Sequence, residues 1–421
     1  MRIYPHINTG ESPGLEGLLH INMTKDTVDF LIIGGGVIGL NIALQVKRRF
    51  ADCSVALIEK ESYCGAHASG RNSGVLHAGF YYTADSLKAR FTRDGNKLMR
   101  EYCAEKGIPL NQCGKLVVAR DETDLAGLDE LLRRGKHNGV ELNAITEQDA
   151  REIEPRVKTH QRALFSPTTA SVNPADVMKA LATDAKDQGI HIRTNTAYLR
   201  RSNGGVTTSQ GHIQAGYIIN AAGLYADKIA KDFGFSQDYA IIPFKGLYLY
   251  SNEAPGSLRT NIYPVPDLNN PFLGVHYTLT ADGKVKIGPT AIPAFWREHY
   301  HGFNNFKPRE CLEILHREAS LWWHNDFGFR RLASEELKKY HRPRMVNIAA
   351  TLLTGVKPEH YTHWGKPGIR AQLINTKQRK LEMDFRYEGD NKSFHVLNAV
   401  SPAFTCSMAL GEFLVNQALV G

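Results

Sequence analysis

The sequence predicts a mixed α/β (α+β) protein in which a parallel-stranded nucleotide-binding unit is interleaved with an antiparallel-sheet unit. Three observations carry that expectation. A strand, a glycine-rich turn, a helix and a second strand follow one another between residues 28 and 58. Strand and helix patterns of the same type return after residue 170, and the block 241–295 between them and the C-terminus is rich in short strands separated by turns.

Length and composition set the frame. With 421 residues and 42% hydrophobic content, the chain can bury a large core and has room for two or three structural units. Its net charge of +8 could attract nucleic acid, anionic lipid or a small acidic substrate. The basic residues are scattered, however, and the interleaving of aromatic and basic residues typical of RNA binding is missing; no nucleic-acid partner is expected. The six cysteines show no paired or Cys/His metal spacing, so the expectation is a reduced cytoplasmic protein without a metal site. Residues 30–46 (FLIIGGGVIGLNIALQV) are too short and too glycine-rich for a membrane span and read instead as strand, turn and helix. Residues 1–22 carry no secretory pattern, and Met23 before TKDTVDF is the expected natural start. The segment 1–27 is therefore expected to be a disordered extension.

The elements follow in order. Residues 28–33 are a short apolar strand, and the helix after the turn places Ile38, Ala43, Leu44 and Val46 inward. Residues 54–58 supply the second strand and complete a βαβ unit with a right-handed crossover. Residues 86–105 and 123–136 have amphipathic helical spacing. Thr146 and Asp149 make a capping box, and Glu154-Pro155 ends the helix they open. Asn173-Pro174 caps a further helix over 175–187, followed by a strand at 191–196. Residues 211–223 (GHIQAGYIINAAG) end in small residues, as a strand does when it delivers its C-terminal edge to a ligand. IIPFKGLYLY, PFLGVHYTLT and KVKIGP predict antiparallel strands, and 408–419 a buried helix. The expected division is 28–100, 150–235 and 355–421 for the nucleotide-binding unit, with 101–149 and 236–354 forming the cap that binds substrate.

The chemistry begins at Gly34-x-Gly36-x-x-Gly39. The first glycine permits the tight turn, the second lets a pyrophosphate approach the backbone, and the third allows close helix packing, while the helix N-terminus faces the phosphates. Alone this motif is weak. Here it joins a strand to a helix, and Glu59 closes the next strand 20 positions beyond Gly39, where a carboxylate can accept from ribose hydroxyls. This makes the unit Rossmann-like and disfavours a 2′-phosphate. The loop 68–74 (ASGRNSG) suits backbone approach along a pyrophosphate and a flavin, and the apolar, aromatic 75–82 (VLHAGFYY) suits an isoalloxazine wall. The expected cofactor is FAD.

The run SGRNSGVLHAGFYYTADSLKAR, together with Cys113-Gly114-Lys115-Leu116, IIPFKGLYLY, YPVPDLNNPFLGVHYT and GIRAQ, resembles the L-2-hydroxyglutarate dehydrogenase/oxidase branch of the D-amino-acid-oxidase-like FAD proteins, from about residue 28 to the end. The resemblance implies tightly held FAD, a substrate domain over the flavin and oxidation of an L-2-hydroxy acid to a 2-oxo acid, with electrons passing to quinone or dioxygen. Two departures stand out: Arg71 occupies the place of a histidine in the family's GHNSGV segment, and Ser401-Pro402-Ala403-Phe404-Thr405 matches the flavin-side loop in part.

Candidate cofactor contacts are Gly34, Gly36, Val37, Ile38 and Gly39 in the turn, Glu59 and Lys60 after the second strand, and Ser69, Asn72, Ser73 and Gly74 in the loop. Ala197, Ala222, Gly223, Ser401, Phe404 and Thr405 complete the set. Oxidising a secondary alcohol needs a base for the hydroxyl proton, and histidine titrates in the useful range; His77 and His276 are the candidates. A carboxylate substrate needs cationic anchors, for which a planar guanidinium is best suited, and Arg71, Lys245 and Arg370 are the expected ones. An amine or amino-acid oxidase on the same fold is the alternative, distinguished by a substrate that arrives protonated. Quinone reduction would require only peripheral contact with the inner membrane face, so a cytoplasmic location with such contact is also compatible.

Overall fold

The computed structural model describes residues 26–268 and 273–420. Most of the expected N-terminal extension, Met23 included, lies outside the described residues, as do residues 269–272 of the segment YPVPDLNNPFLGVHYT.

The nucleotide-binding unit is built on an eight-stranded sheet. Thr27–Ile33 pairs in parallel with Val55–Ile58 on one side and Gly211–Asn220 on the other. His191–Arg193 extends the sheet beyond Val55–Ile58, and Ser393–Asn398 extends it beyond Gly211–Asn220, both in parallel. A hairpin of Tyr198–Ser202 and Gly205–Thr208 and the strand Arg386–Gly389 add antiparallel pairs at that side. The central strands are apolar on both faces because helices cover them. Helix Val37–Arg49 buries Leu40, Leu44 and Val46 on its inner stripe, packed with Leu410 and Leu414 of the C-terminal helix Ala403–Val420 in one core cluster.

The second unit contains another eight-stranded sheet, running from Tyr361–Trp364 to Asn143–Thr146. It is antiparallel except for one pair, Asn261–Pro264 beside Lys115–Val118. Strand Arg162–Ser166 pairs with Lys115–Val118 and belongs to this sheet, and Tyr361–Trp364 pairs with Leu249–Ser251. Both segments fall in stretches the sequence reading gave to the nucleotide unit, so the sheet pairing moves those boundaries. A four-stranded sheet around Tyr239–Gly246 and Gly368–Asn375 completes the cap layer. The expected caps are present: Thr146 and Asp149 form the reciprocal capping box, and the Asn173 side chain caps Pro174–Asp187.

Candidate functional site

Parallel pairing places the C-terminal ends of five strands on one edge. Ile33 lies opposite both Ile58 and Asn220, Ile58 opposite Arg193, and Asn220 opposite His395. The chain that follows each strand lines a single cavity of about 790 Å³: Gly34 and Gly36, Glu59 and Lys60, Ala197, Ala222 and Gly223, and Ser401, Phe404 and Thr405. Ligands bind at this edge in open α/β sheets because strand ends and helix N-termini converge there.

The glycines of the turn do different work. Gly34 has φ +111°, and a Cβ there would lie 2.6 Å from the Ala221 carbonyl oxygen. Gly36 lines the cavity, and the Ser69 hydroxyl accepts from the Val37 N–H at 2.9 Å, bracing the start of the helix. Gly39 is not on the wall; a Cβ there would collide with the Gly34 carbonyl oxygen. Gly74 also lies off the wall, held against the strand Ala170–Val172, where its carbonyl accepts from the Val172 N–H at 2.8 Å. Both pack backbone against backbone, set back from the cavity wall. The Glu59 carboxylate accepts from the Gly35 and Glu61 N–H groups at 2.8 and 2.9 Å, which fixes its orientation at the cavity. Lys60 lines the cavity but pairs with Glu61 and, at 2.7 Å, with Glu298 of the cap. These carboxylates and His67 are the one His/Glu group of metal-binding spacing among the described residues, and the Lys60 ammonium already supplies their counter-charge.

Val37, Ile38, Asn72 and Ser73 line the same cavity. Beyond them stand His77, His276, Arg71 and Arg370. Both histidines are buried, and burial, reinforced by the Lys115 ammonium, holds each in its neutral form; His276 is pushed down to about 3 and His77 well below the usual range. His276 Nδ1 donates to the Gly274 carbonyl at 2.9 Å, and its ring stacks on Tyr263 at 3.6 Å between centroids. That hydrogen bond fixes the tautomer and leaves Nε2 as the lone-pair nitrogen. The Nδ1 of His77 is buried without a protein hydrogen-bond partner.

Arg370 is half-buried; its Nε donates to Gln372 Oε1 at 3.1 Å, and burial lowers it to about 10, so it stays charged at neutral pH. Arg71 donates through Nε to the Ala66 carbonyl at 2.7 Å and lies over the Tyr300 ring at 4.5 Å. Lys245, expected as a cationic anchor, is not on the cavity wall. Its neighbours Phe244 and Gly246 line the cavity and it does not, because successive side chains of the strand Tyr239–Gly246 point to opposite faces. Its ammonium instead helps to depress the pKa of His299.

Two lysines escaped the sequence reading. Lys88, at the start of helix Leu87–Glu105, lines the cavity beside Tyr82, and burial followed by Arg370 lowers it to about 7. Lys115 is fully buried with no hydrogen-bond acceptor, its ammonium 5.1, 4.9 and 4.6 Å from the ring centres of Phe80, Tyr81 and Tyr263. Burial lowers it to about 7. The conspicuous signal was a lysine opening the otherwise apolar strand Lys115–Val118.

Comparison with known proteins follows the same lines. The family model described as FAD dependent oxidoreductase matches residues 29–417. The chain is 34% identical over 414 residues to the mitochondrial L-2-hydroxyglutarate dehydrogenase of Mus musculus, covering 92% of this chain and 87% of that protein. It is 33% identical over 408 residues to L-2-hydroxyglutarate dehydrogenase of Escherichia coli (strain K12), covering 92% of each. Among solved structures it is similar to dithionite-reduced L-alpha-glycerophosphate oxidase from Mycoplasma pneumoniae with FAD bound, at TM-score 0.73 and 22% identity, covering 93% and 94% of the two chains. That last likeness is one of fold.

Proposed function

The chain belongs to the FAD dependent oxidoreductase family, and from that premise we propose that it oxidises L-2-hydroxyglutarate, or a closely similar L-2-hydroxy dicarboxylate, to the 2-oxo acid. The observation that carries the reading is the meeting, in one cavity with the glycine turn, of two buried neutral histidines with Arg370 and Lys88. The cavity residues fit FAD: Gly34 and Gly36 leave the backbone open to a pyrophosphate, and the oriented Glu59 carboxylate suits ribose hydroxyls. Bound FAD supplies the two-electron acceptor.

The protein's own part is to bind the acid, orient its C2–H bond and take the hydroxyl proton. His276 Nε2 is the base in this reading, since Nδ1 already donates to Gly274; His77 lines the same cavity and steadies the hydroxyl. Arg370, held by Gln372, receives one carboxylate in bidentate fashion, and Lys88 receives the other. Arg71, braced by Ala66 and Tyr300, limits the length of acid the cavity admits. Electrons leave to a quinone, with peripheral membrane contact, or to dioxygen.

The test is anaerobic bleaching of the purified flavoprotein by a panel of L- and D-2-hydroxy acids and amino acids. L-2-hydroxyglutarate should bleach it, and His276→Ala should slow bleaching by about 10²-fold or more while retaining FAD. Bleaching by amino acids and by no hydroxy acid would transfer the assignment to an amine or amino-acid oxidase.

A further inference from the structure

Helix Pro308–His324 is amphipathic in the inverted sense. Its inward row contains Glu310, Ile314, Glu318 and Leu321, all buried. Its outward row contains Leu312, Leu315, Trp322 and Trp323, with Ala319 between them, and every one is exposed, Trp323 at 78%. A water-facing helix ordinarily shows the reverse, charge outward and apolar residues inward. The surrounding segments continue the pattern: Phe303 is 82% exposed, and Phe306, Phe327, Leu337 and Tyr340 are also exposed.

Charge is sorted across the same region. Within 295–345 the exposed cations are Lys307, Arg309, Arg330, Arg331, Lys338 and Arg344, whereas the exposed acid is Glu335 alone. Glu298, Glu310, Glu318 and Glu336 are buried, and the half-buried Glu313 and Asp326 pair with Arg317 and Arg379. Lys307 turns to Glu310 and the Tyr225 hydroxyl and lines the cavity, but Arg309, Arg330, Arg331, Lys338 and Arg344 remain, and the exposed surface of this region is both aromatic and cationic.

We propose that the face formed by helix Pro308–His324 and the flanking 303–306 and 327–344 segments docks the enzyme on an anionic lipid bilayer, Trp322 and Trp323 entering the interface and the cations contacting headgroups. It rests on the reading of peripheral membrane contact given above and names its surface. Aromatic rings at headgroup depth and nearby Lys and Arg are the two signals that together hold a protein on such a surface. A second copy of the chain fits less well, because a two-fold interface sets each patch against itself and would bring these cations face to face.

The experiment sediments the FAD-loaded enzyme with phosphatidylcholine vesicles with and without about one-third phosphatidylglycerol. The enzyme should pellet with the anionic vesicles and be released by high salt. Trp322→Ser with Trp323→Ser, and separately Arg309→Glu with Arg331→Glu, should each lower partition by about tenfold or more, with anaerobic bleaching by L-2-hydroxyglutarate unchanged in solution. Lack of binding by the wild type, or full binding by both variants, overturns the docking face. So does size-exclusion showing a wild-type dimer that Trp322→Ser with Trp323→Ser makes monomeric. Bleaching without vesicle binding rejects this surface while sparing the catalytic reading; vesicle binding without bleaching does the opposite.

Discussion

Lys115→Met tests whether a buried charge is being retained against stability. The wild-type ammonium is fully enclosed, has three aromatic faces around it and lacks a hydrogen-bond acceptor. Burial lowers its pKa from 10.5 to about 7, a depression that corresponds to at most about 5 kcal/mol. Replacing buried ionic groups by well-packed apolar side chains of similar volume ranges from neutral to stabilising by about 1 to 4 kcal/mol, and since Lys115 has no counter-charge to strand, the variant should gain stability within that range at pH 6. The sign with pH is fixed by proton binding. Between about 7 and about 10.5 the unfolded chain holds more protons at this lysine than the folded one, so wild-type stability rises with pH across that window. The advantage of Met must therefore be full below pH 7 and shrink by pH 9. Catalysis should respond differently. The Lys115 ammonium is 4.6 Å from the Tyr263 ring centre, which is 3.6 Å from that of His276, so the charge lies within about 8 Å of the imidazole. At an effective dielectric of 20 this repulsion is about 2 kcal/mol, which moves the acid limb of kcat/KM upward by about 1.5 pH units when it is removed. Urea unfolding at pH 6 and pH 9 and a pH profile of flavin reduction measure both effects. A variant less stable than wild type at pH 6, or equally favoured at both pH values, would mean that Lys115 is not a destabilising buried charge.

Lys88 carries its charge only below about pH 7, so as an anchor for an anionic substrate it should weaken as pH rises. The KM for L-2-hydroxyglutarate is expected to climb between pH 7 and 9 with kcat little altered, and Lys88→Gln should show a high KM at every pH and no such climb; steady-state assays with a dye acceptor decide. Gly39→Ala drives a methyl group into the Gly34 carbonyl and should yield protein without flavin absorbance. The control Gly107→Ala, at φ +64° with open space around it, should keep its flavin and lose about 1 kcal/mol of stability.

What could be read from the sequence was local. The glycine turn, Glu59 and the helix between them fall within one stretch of chain, and their chemistry depends on spacing. The strand ends that feed Ala197, Gly223 and Ser401 into the cavity were legible because a parallel sheet must deliver all its C-terminal ends to the same edge. Lys245 failed for the complementary reason. A strand buried on both faces has no polar side to reveal which residues look inward, and the face is set only by its pairing with Gly368–Asn375, which opposes Phe244 to Arg370. Lys115 was hidden because a lysine reads as a surface residue until the parallel neighbour Asn261–Pro264, far along the chain, encloses it. Helix Pro308–His324 carries the same lesson with the sign reversed. A periodicity of 3.6 locates its two faces but cannot say which one is covered, and it is the burial of Glu310 and Glu318 that turns Trp322 and Trp323 outward. The inward carboxylates are accommodated by the protein itself, Glu310 pairing with Lys228 and Lys307 at 3.9 and 3.5 Å and the Glu318 carboxyl pushed up to about 8 by burial; it is the exposed tryptophans that lack a covering surface, and a bilayer interface is the environment their rings suit.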